Sequence, residues 1–353
     1  MFSIFEDVKI VQGHLRSLIM DITRGKIHFI PNTLAAFLLK YHQDKKYDLV
    51  IERYKERYPG LYAEYHDFLI ENEFVFDIKE AQLSNFPPIP FNSDNPFLLD
   101  CIIIHLSDMN AAGFLQLLQL SPLITKNIVI YCSTNHLSPE NIELVIRSLN
   151  IDSARMVNIV AHEQYQVLID GLLAERKLFI ARYTPDIINH TFINQTSHPE
   201  KPVLSYNMLL YAEALRFNVY FNKKMFITEK GGIKNSHELP DIFGNVNEID
   251  NRRMLEDIVA SPEFGKYWRI NKDSILVCNQ CELRYICTSS AIPTPVKGRP
   301  AYIQTECSYN PFIAKWQDED GYKSLAASGI STEGGLLHTD EQVLNKAYSE
   351  AGL

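Results

Sequence analysis

The chain lacks any run of five or six Lys or Arg residues, and its formal net charge is -9 at pH 7. Phosphate backbones and anionic membranes are held mainly by clustered basic side chains, so this absence argues against a nucleic-acid or membrane-surface role. No apolar run approaches the ~20 residues of a membrane span. The opening MFSIFEDVKIVQGHLRS puts Glu6 and Asp7 where a secretory signal needs unbroken apolar residues, which predicts a cytoplasmic protein. A strand–GxGxxG–helix context is also missing: Gly231-Gly232 and Gly334-Gly335 read as turn glycines, not phosphate cradles. No pair of carboxylates is singled out by spacing, so nothing in the pattern points to acid–base catalysis.

What is present is a chain of 353 residues with ordinary globular composition. That length predicts two or three domains. Of six cysteines, four fall between 278 and 307. In a long intracellular chain such a cluster points to thiolates kept for a metal, not to a disulfide framework.

Residues 1–80 read as a strand-then-helix unit. SIFEDVKIVQG, RSLIMDI and KIHFI have strand character, the last two joined by a tight Thr23-Arg24-Gly25 turn. After Pro31-Asn32, apolar residues repeat at three and four, predicting three helices: Leu34, Phe37, Leu38, Tyr41; then Leu49, Tyr54, Tyr58; then Leu61, Tyr65, Phe68, Leu69. Three strands and three helices make a winged-helix-like domain. LSNFPPIPFNSDNPF carries four prolines and reads as a linker over 81–97.

From 98 to 205, apolar runs alternate with helical patterns: LLDCIIIHL, NAAGFLQLLQL, NIVIYC, SPENIELVIRSL, RMVNIVA, YQVLIDGLLAE, KLFIARY. Continuous apolar strands separated by helices imply a parallel sheet, either half a barrel or an open α/β sheet. HPEKPVLSYN breaks this pattern. Residues 217–238 then predict a β-hairpin around Lys230-Gly231-Gly232, and the Ser/Gly-rich end, 321–353, reads as a loosely held tail with a short helix. His105 and Asp108 fall at the end of the first strand of the sheet, where such folds bind ligands. A satisfied strand-end histidine competes with that reading. Cys101 and Cys132 lie inside strands and read as buried thiols.

Cys278, Cys281 and Cys287, with Cys307 twenty residues on, supply four thiolates. A CxxC turn aims two sulfurs at one point, and two more complete a tetrahedral shell. The set suits zinc or a 4Fe-4S cluster alike. After Cys287 the chain continues Thr288, Ser289, Ser290 and Ala291, with no further cysteine close by.

The hairpin, the CxxC-x5-C motif and the distal cysteine of ECSYNPFIAKW resemble the SPASM domain of radical SAM peptide-modifying enzymes. More narrowly, FGNVNE, WRINKDSILVCNQCELRYIC and ECSYNPFIAKW resemble the SPASM-domain peptide maturase of grasp-with-spasm systems, over about 217–317. The resemblance implies one cluster held by Cys278, Cys281, Cys287 and Cys307, and one lost, since Ser236 and Ser290 or Ala291 stand where its cysteines would be. A radical SAM enzyme also carries CxxxCxxC after its first barrel strand, but the segment here is SDMNAAGF. With no S-adenosylmethionine cluster, radical generation has no chemical basis.

The resemblance therefore implies an α/β protein in three parts: a winged-helix-like peptide-recognition domain, a partial radical-SAM-like β/α barrel over 98–205, and a SPASM-like metal domain over 206–320. Its partners would be a precursor peptide with a Gly-Gly leader and an ATP-grasp ligase, with homodimerisation left open. The leader would add as a strand along Lys26, Ile27, His28 and Phe29, beside Tyr62, Tyr65 and Leu69 of the third helix. Ile27 and Phe29 also suit the domain's own core. The chain would be a non-catalytic partner of the ligase, its metal structural. Two alternatives stand beside this: an active metallo-maturase using the cluster or the region around His105 and Asp108, and a winged-helix regulator with a zinc site. The third helix carries Glu64, Asp67, Glu71 and Glu73 at or near it and no Lys or Arg, which a phosphate backbone would repel.

Overall fold

The computed structural model describes residues 2–44, 47–86, 97–120, 124–132, 137–149, 156–176, 181–182, 204–304 and 307–353. It is a mixed α/β protein with several sheets. Most of the proline-rich linker, all of KLFIARY but Ala181 and Arg182, and the start of HPEKPVLSYN lie outside the described residues.

The expected first strand divides in two. β1 (Phe2–Ile4) and β2 (Val8–Gln12) are separated by a turn in which Val8 N donates to Phe5 O at 2.9 Å. β3 (Arg16–Asp21) and β4 (Lys26–Pro31) complete an antiparallel sheet ordered β2-β3-β4. The turn between them is held by Asp21, whose carboxylate accepts from Arg24 N at 2.7 Å, and by Gly25 at φ 68, a conformation glycine takes without steric cost. Three helices follow, α1 (Asn32–Asp44), α2 (Tyr47–Arg57) and α3 (Pro59–Glu71), then a strand that the sequence pattern did not reveal, β5 (Val75–Asp77), which pairs antiparallel with β1.

Strand side chains alternate between faces. Ile19 of β3 packs with Leu34, Phe37, Leu38, Tyr41, Tyr65 and Leu69 of the helices. Its neighbours Leu18 and Met20 pack on the opposite side with Leu283, Ile286 and Tyr309, which flank the cysteines. β3 is buried on both faces, which is why its centre, Leu18-Ile19-Met20, is apolar without alternation.

The second sheet is built on β6 (Leu99–Leu106), β7 (Thr125–Cys132), β8 (Met156–Ala161) and β9 (Ala181–Arg182), paired in parallel. The connecting helices are α4 (Ala111–Gln119), α5 (Pro139–Ser148) and α6 (Gln166–Arg176), the alternation expected of parallel strands. After α7 (Met208–Ala214) comes the hairpin, β10 (Lys224–Ile227) and β11 (Ile233–Lys234), where the sequence placed it. β10 also pairs in parallel with β6, giving the order β11-β10-β6-β7-β8-β9. Among the described residues the sheet does not close into a barrel.

The hairpin therefore belongs to the large sheet, and the expected boundary at 205/206 runs through one hydrogen-bonded unit. All four residues of β10 are buried, so its backbone groups need a neighbour on each side. Lys224, 2% exposed, locks the join by donating to Asp100 Oδ2 at 2.9 Å, with Glu213 at 4.0 Å. Gly231 at φ 82 turns the hairpin, and a Cβ there would lie 2.5 Å from Asn245 Oδ1.

α8 (Arg252–Ala260) leads to short strands: β12 (Ile275–Leu276), β13 (Thr294–Pro295), β14 (Tyr302–Ile303), β15 (Tyr309–Asn310) and β16 (Lys315–Trp316). The expected loose tail is corrected. β17 (Ile330–Ser331), β18 (His338–Thr339) and α9 (Glu341–Ala351) are ordered structure, with Ile330, Leu344 and Ala347 packed on Val277, Phe312 and Ile313. Asp340 caps the N-terminus of α9 by accepting from Gln342 N and Val343 N, which supplies the local start signal that composition hid. No helix among the described residues is long and apolar enough to cross a membrane.

Candidate metal centre and peptide edge

The cysteine loop starts from β12 at a strained position. Val277 is held at φ 73, a region β-branched residues rarely adopt, by packing against the C-terminal segment. A one-turn helix over Cys278–Gln280 follows, with Cys281 N donating to Cys278 O at 2.9 Å. Leu283 N points at Cys281 Sγ, 3.4 Å away, and the Tyr309 amide serves Cys307 in the same way. Such N–H donors are what a thiolate needs around it. All four cysteines, Cys278, Cys281, Cys287 and Cys307, are free and half-buried.

The residue they share is Lys272, which the sequence pattern did not mark. It is 5% exposed and donates to Gln304 Oε1 at 3.1 Å. Gln304 also accepts from Cys278 Sγ at 3.6 Å and donates to Ser289 Oγ at 3.3 Å. Burial by itself lowers the Lys272 ammonium, but Cys287, Cys278, Cys307 and Cys281 together raise it above its ordinary value. Burial likewise pushes the Cys278 thiol up to about 12 and carries Cys281 and Cys307 upward.

Among the described residues no three His, Cys, Asp or Glu side chains are gathered closely enough to hold a metal ion as they stand. Lys272 lies within electrostatic reach of all four thiols, which do not form a closed shell. Their chemistry nonetheless fits a tetrathiolate centre: four sulfurs in one neighbourhood, backbone donors aimed at two of them, and a buried cation able to balance their charge.

Ser236 and Ser290 are buried hydroxyls, Ser236 donating to Glu238 Oε2 at 3.0 Å. Cys101 and Cys132 are buried in β6 and β7, where desolvation pushes both thiols up to about 12.

The expected peptide edge is β4, which has β3 on one side and no strand on the other among the described residues. Lys26 Nζ reaches Glu73 Oε2 at 3.1 Å. His28 packs edge-on against Phe68 and Phe74. Ile27 faces the other way and packs in the cluster that contains Cys281 and Cys307. Phe29, on the same face as Ile27, is 45% exposed, and the Arg16 guanidinium lies 3.5 Å from its ring centroid. Of the three α3 residues, Leu69 and Tyr65 are turned into the unit's own core, leaving Tyr62 half-exposed beside His66.

At the C-terminal ends of β6 and β10 lies a cavity of ≈ 750 Å³, lined among others by His105, Glu229, Lys234, His237 and Glu248. The His105 ring sits 6.1 Å from that of His237, and burial followed by this neighbour lowers its pKa. Asp108 plays a different part. Its Oδ1 accepts from Ser138 N, Ser138 Oγ and Asn141 Nδ2, each at 2.8 Å, and so holds the start of α5.

No protein-family model matches the chain, and no curated protein matches it either. Among solved structures, that of SuiB from Streptococcus suis is similar at 12% identity and a TM-score of 0.32, covering 86% of this chain and 99% of that chain. SuiB bound to S-adenosylmethionine gives 11% and 0.29 over the same coverage, and SuiB bound to its precursor peptide SuiA gives 12% and 0.25. With TM-scores this low, the chemistry of the site rests on this chain's own residues.

Proposed function

We propose that the chain captures the leader of a ribosomally made precursor peptide on β4 and assists an ATP-grasp ligase in its maturation. Cys278, Cys281, Cys287 and Cys307 hold one metal, zinc or a 4Fe-4S cluster, that clamps the C-terminal region. The observation that carries this reading is β4 and its exposed Phe29, packed directly onto the cysteine loop, with no strand on the outer edge among the described residues. An extended peptide gains main-chain hydrogen bonds along such an edge and specificity from alternate side chains. A metal held by four thiolates has no open position for substrate, so it supplies rigidity to the loop.

The retained motifs of the SPASM-domain maturases support the same role, as does the lack of CxxxCxxC after β6, where the chain runs Ser107-Asp108-Met109-Asn110. The test is titration with the precursor peptide, full-length and leader-deleted, together with metal analysis of the purified chain. Tight binding of the full-length form alone is the expected result; equal binding of both would refute capture through the leader.

A second reading, an active maturase, is favoured by the cavity around His105 and His237. Asp108 has no place in it, since its carboxylate is engaged at α5. Loss of peptide modification in His105→Gln with leader binding intact would support that reading.

A further inference from the structure

The peptide edge and the cysteine loop are joined by contacts that neither site needs for itself. Glu282 follows Cys281 directly and is fully buried. Its Oε1 accepts from Arg16 Nε at 2.8 Å and also from the Tyr309 hydroxyl, and Tyr309 stands two residues after Cys307. Arg16 Nη2 closes the triangle on the Tyr309 oxygen at 3.2 Å. The same guanidinium covers the ring of Phe29. Residues adjoining two of the four sulfurs thus fix the cation that fixes the exposed aromatic of β4.

Backbone contacts reinforce the join. His14 N donates to Gln280 O at 2.8 Å, inside the CxxC turn, and Arg284 Nη1 donates to Gln12 O at 2.7 Å. Gly13 passes so close that a Cβ would lie 2.9 Å from both Glu282 N and Glu282 Cβ. Ile27 of β4 shares its apolar cluster with Cys281 and Cys307.

We propose that metal loading at the four cysteines and peptide capture at β4 are thermodynamically coupled through Glu282, Arg16 and Phe29. This rests on the function proposed above and adds its regulation. Binding of a metal by unstructured ligands orders the loop that carries them. An ordered loop presents Glu282 in one place, and Arg16 and Phe29 with it, so the peptide meets an edge whose ordering cost is already met. By linkage, the peptide must raise metal affinity by the same factor that the metal raises peptide affinity. The free chain therefore recognises precursor weakly until its centre is assembled.

The experiment uses the full chain stripped with chelator, then loaded with zinc chloride or, anaerobically, with ferrous iron and sulfide, according to the metal carried on purification. The probe is a fluorescent synthetic leader of the precursor peptide. Expected are at least ten-fold tighter leader binding in the loaded state, an equal gain in metal affinity when leader is present, and slower amide exchange along β4 on loading. Arg16→Gln should bring the ratio close to one while metal is still taken up. If that variant fails to fold, Glu282→Gln, which keeps shape and an acceptor oxygen, tests the same link. Leader binding equal in stripped and loaded chains that both take part in binding would overturn the coupling and leave the proposed function standing. Absence of metal uptake, or of leader binding in either state, would overturn both together.

Discussion

Replacing Lys272 by Met should move two properties of the chain in opposite directions. The ammonium is 5% exposed, its oxygen partner is the neutral amide of Gln304, and no carboxylate among the described residues pairs with it. With burial pushing the Cys278 thiol up to about 12 and carrying those of Cys281 and Cys307 upward, these three sulfurs of the metal-free protein are largely neutral near pH 7 and do little for a buried cation. Methionine fills a similar volume without charge, so the metal-free variant should gain about 1–4 kcal/mol. At roughly 2–4 °C per kcal/mol for chains somewhat shorter than this one, that is a rise in Tm of several degrees.

The loaded protein responds the other way. Four thiolates around a metal leave a net negative centre, and Lys272 is the cation set among them. Removing one partner of a buried charge pair costs about 3–5 kcal/mol, a loss of at least ~100-fold in metal affinity. Chelator competition followed by elemental analysis reads the second effect, and thermal melts of stripped and loaded protein read the first. Lys272→Arg should retain most of the metal affinity. A Lys272→Met chain that keeps its metal as tightly as the parent, or melts lower when stripped, would show that Lys272 is not the counter-charge of the thiolates.

Cys307→Ser should abolish stoichiometric metal uptake, whereas Ser290→Ala should leave it unchanged; elemental analysis decides both. Cys101 and Cys132 have folded pKa values raised to about 12 from an ordinary 9.0, so their contribution to stability is complete below about pH 9 and is lost as pH rises through 12. Alkaline denaturation followed by circular dichroism should begin in that window and shift upward in Cys101→Ala/Cys132→Ala, and neither thiol should react with iodoacetamide at pH 8 until the chain unfolds. Gly231→Ala forces an L-residue to φ 82 against Asn245, and should cost about 1–3 kcal/mol in urea melts. Phe29→Ala, at an exposed edge position, should change stability by less than ~1 kcal/mol yet weaken leader binding several-fold in an anisotropy titration.

Much of the fold was legible because it is written in local periodicity. The alternation from Leu99 to Ala161 is apolar strand and amphipathic helix in turn, and each element declares itself within its own ten residues. The hairpin at Lys230–Gly232 and the turn at Gly25 depend on glycine's backbone freedom, again a local property. The break between β1 and β2, and β5 and β12 to β18, were not legible. At two or three residues most of these are too short to show a period, and they exist only because a distant partner pairs with them.

The site divides in the same way. The sequence by itself supplied the candidate ligands, since the spacing of Cys278, Cys281, Cys287 and Cys307 is a fact of the chain, and it pointed to the β4 segment as the receiving edge. It had no means of placing Lys272 among the cysteines, or Arg16 between Glu282 and Phe29, 266 residues apart in the case of the ion pair. Nor did it show that β10 would join β6 across 124 residues and merge the hairpin with the large sheet. Those choices belong to the tertiary structure, because a buried charge and a two-faced strand are stable only against particular partners, and packing alone brings such partners together.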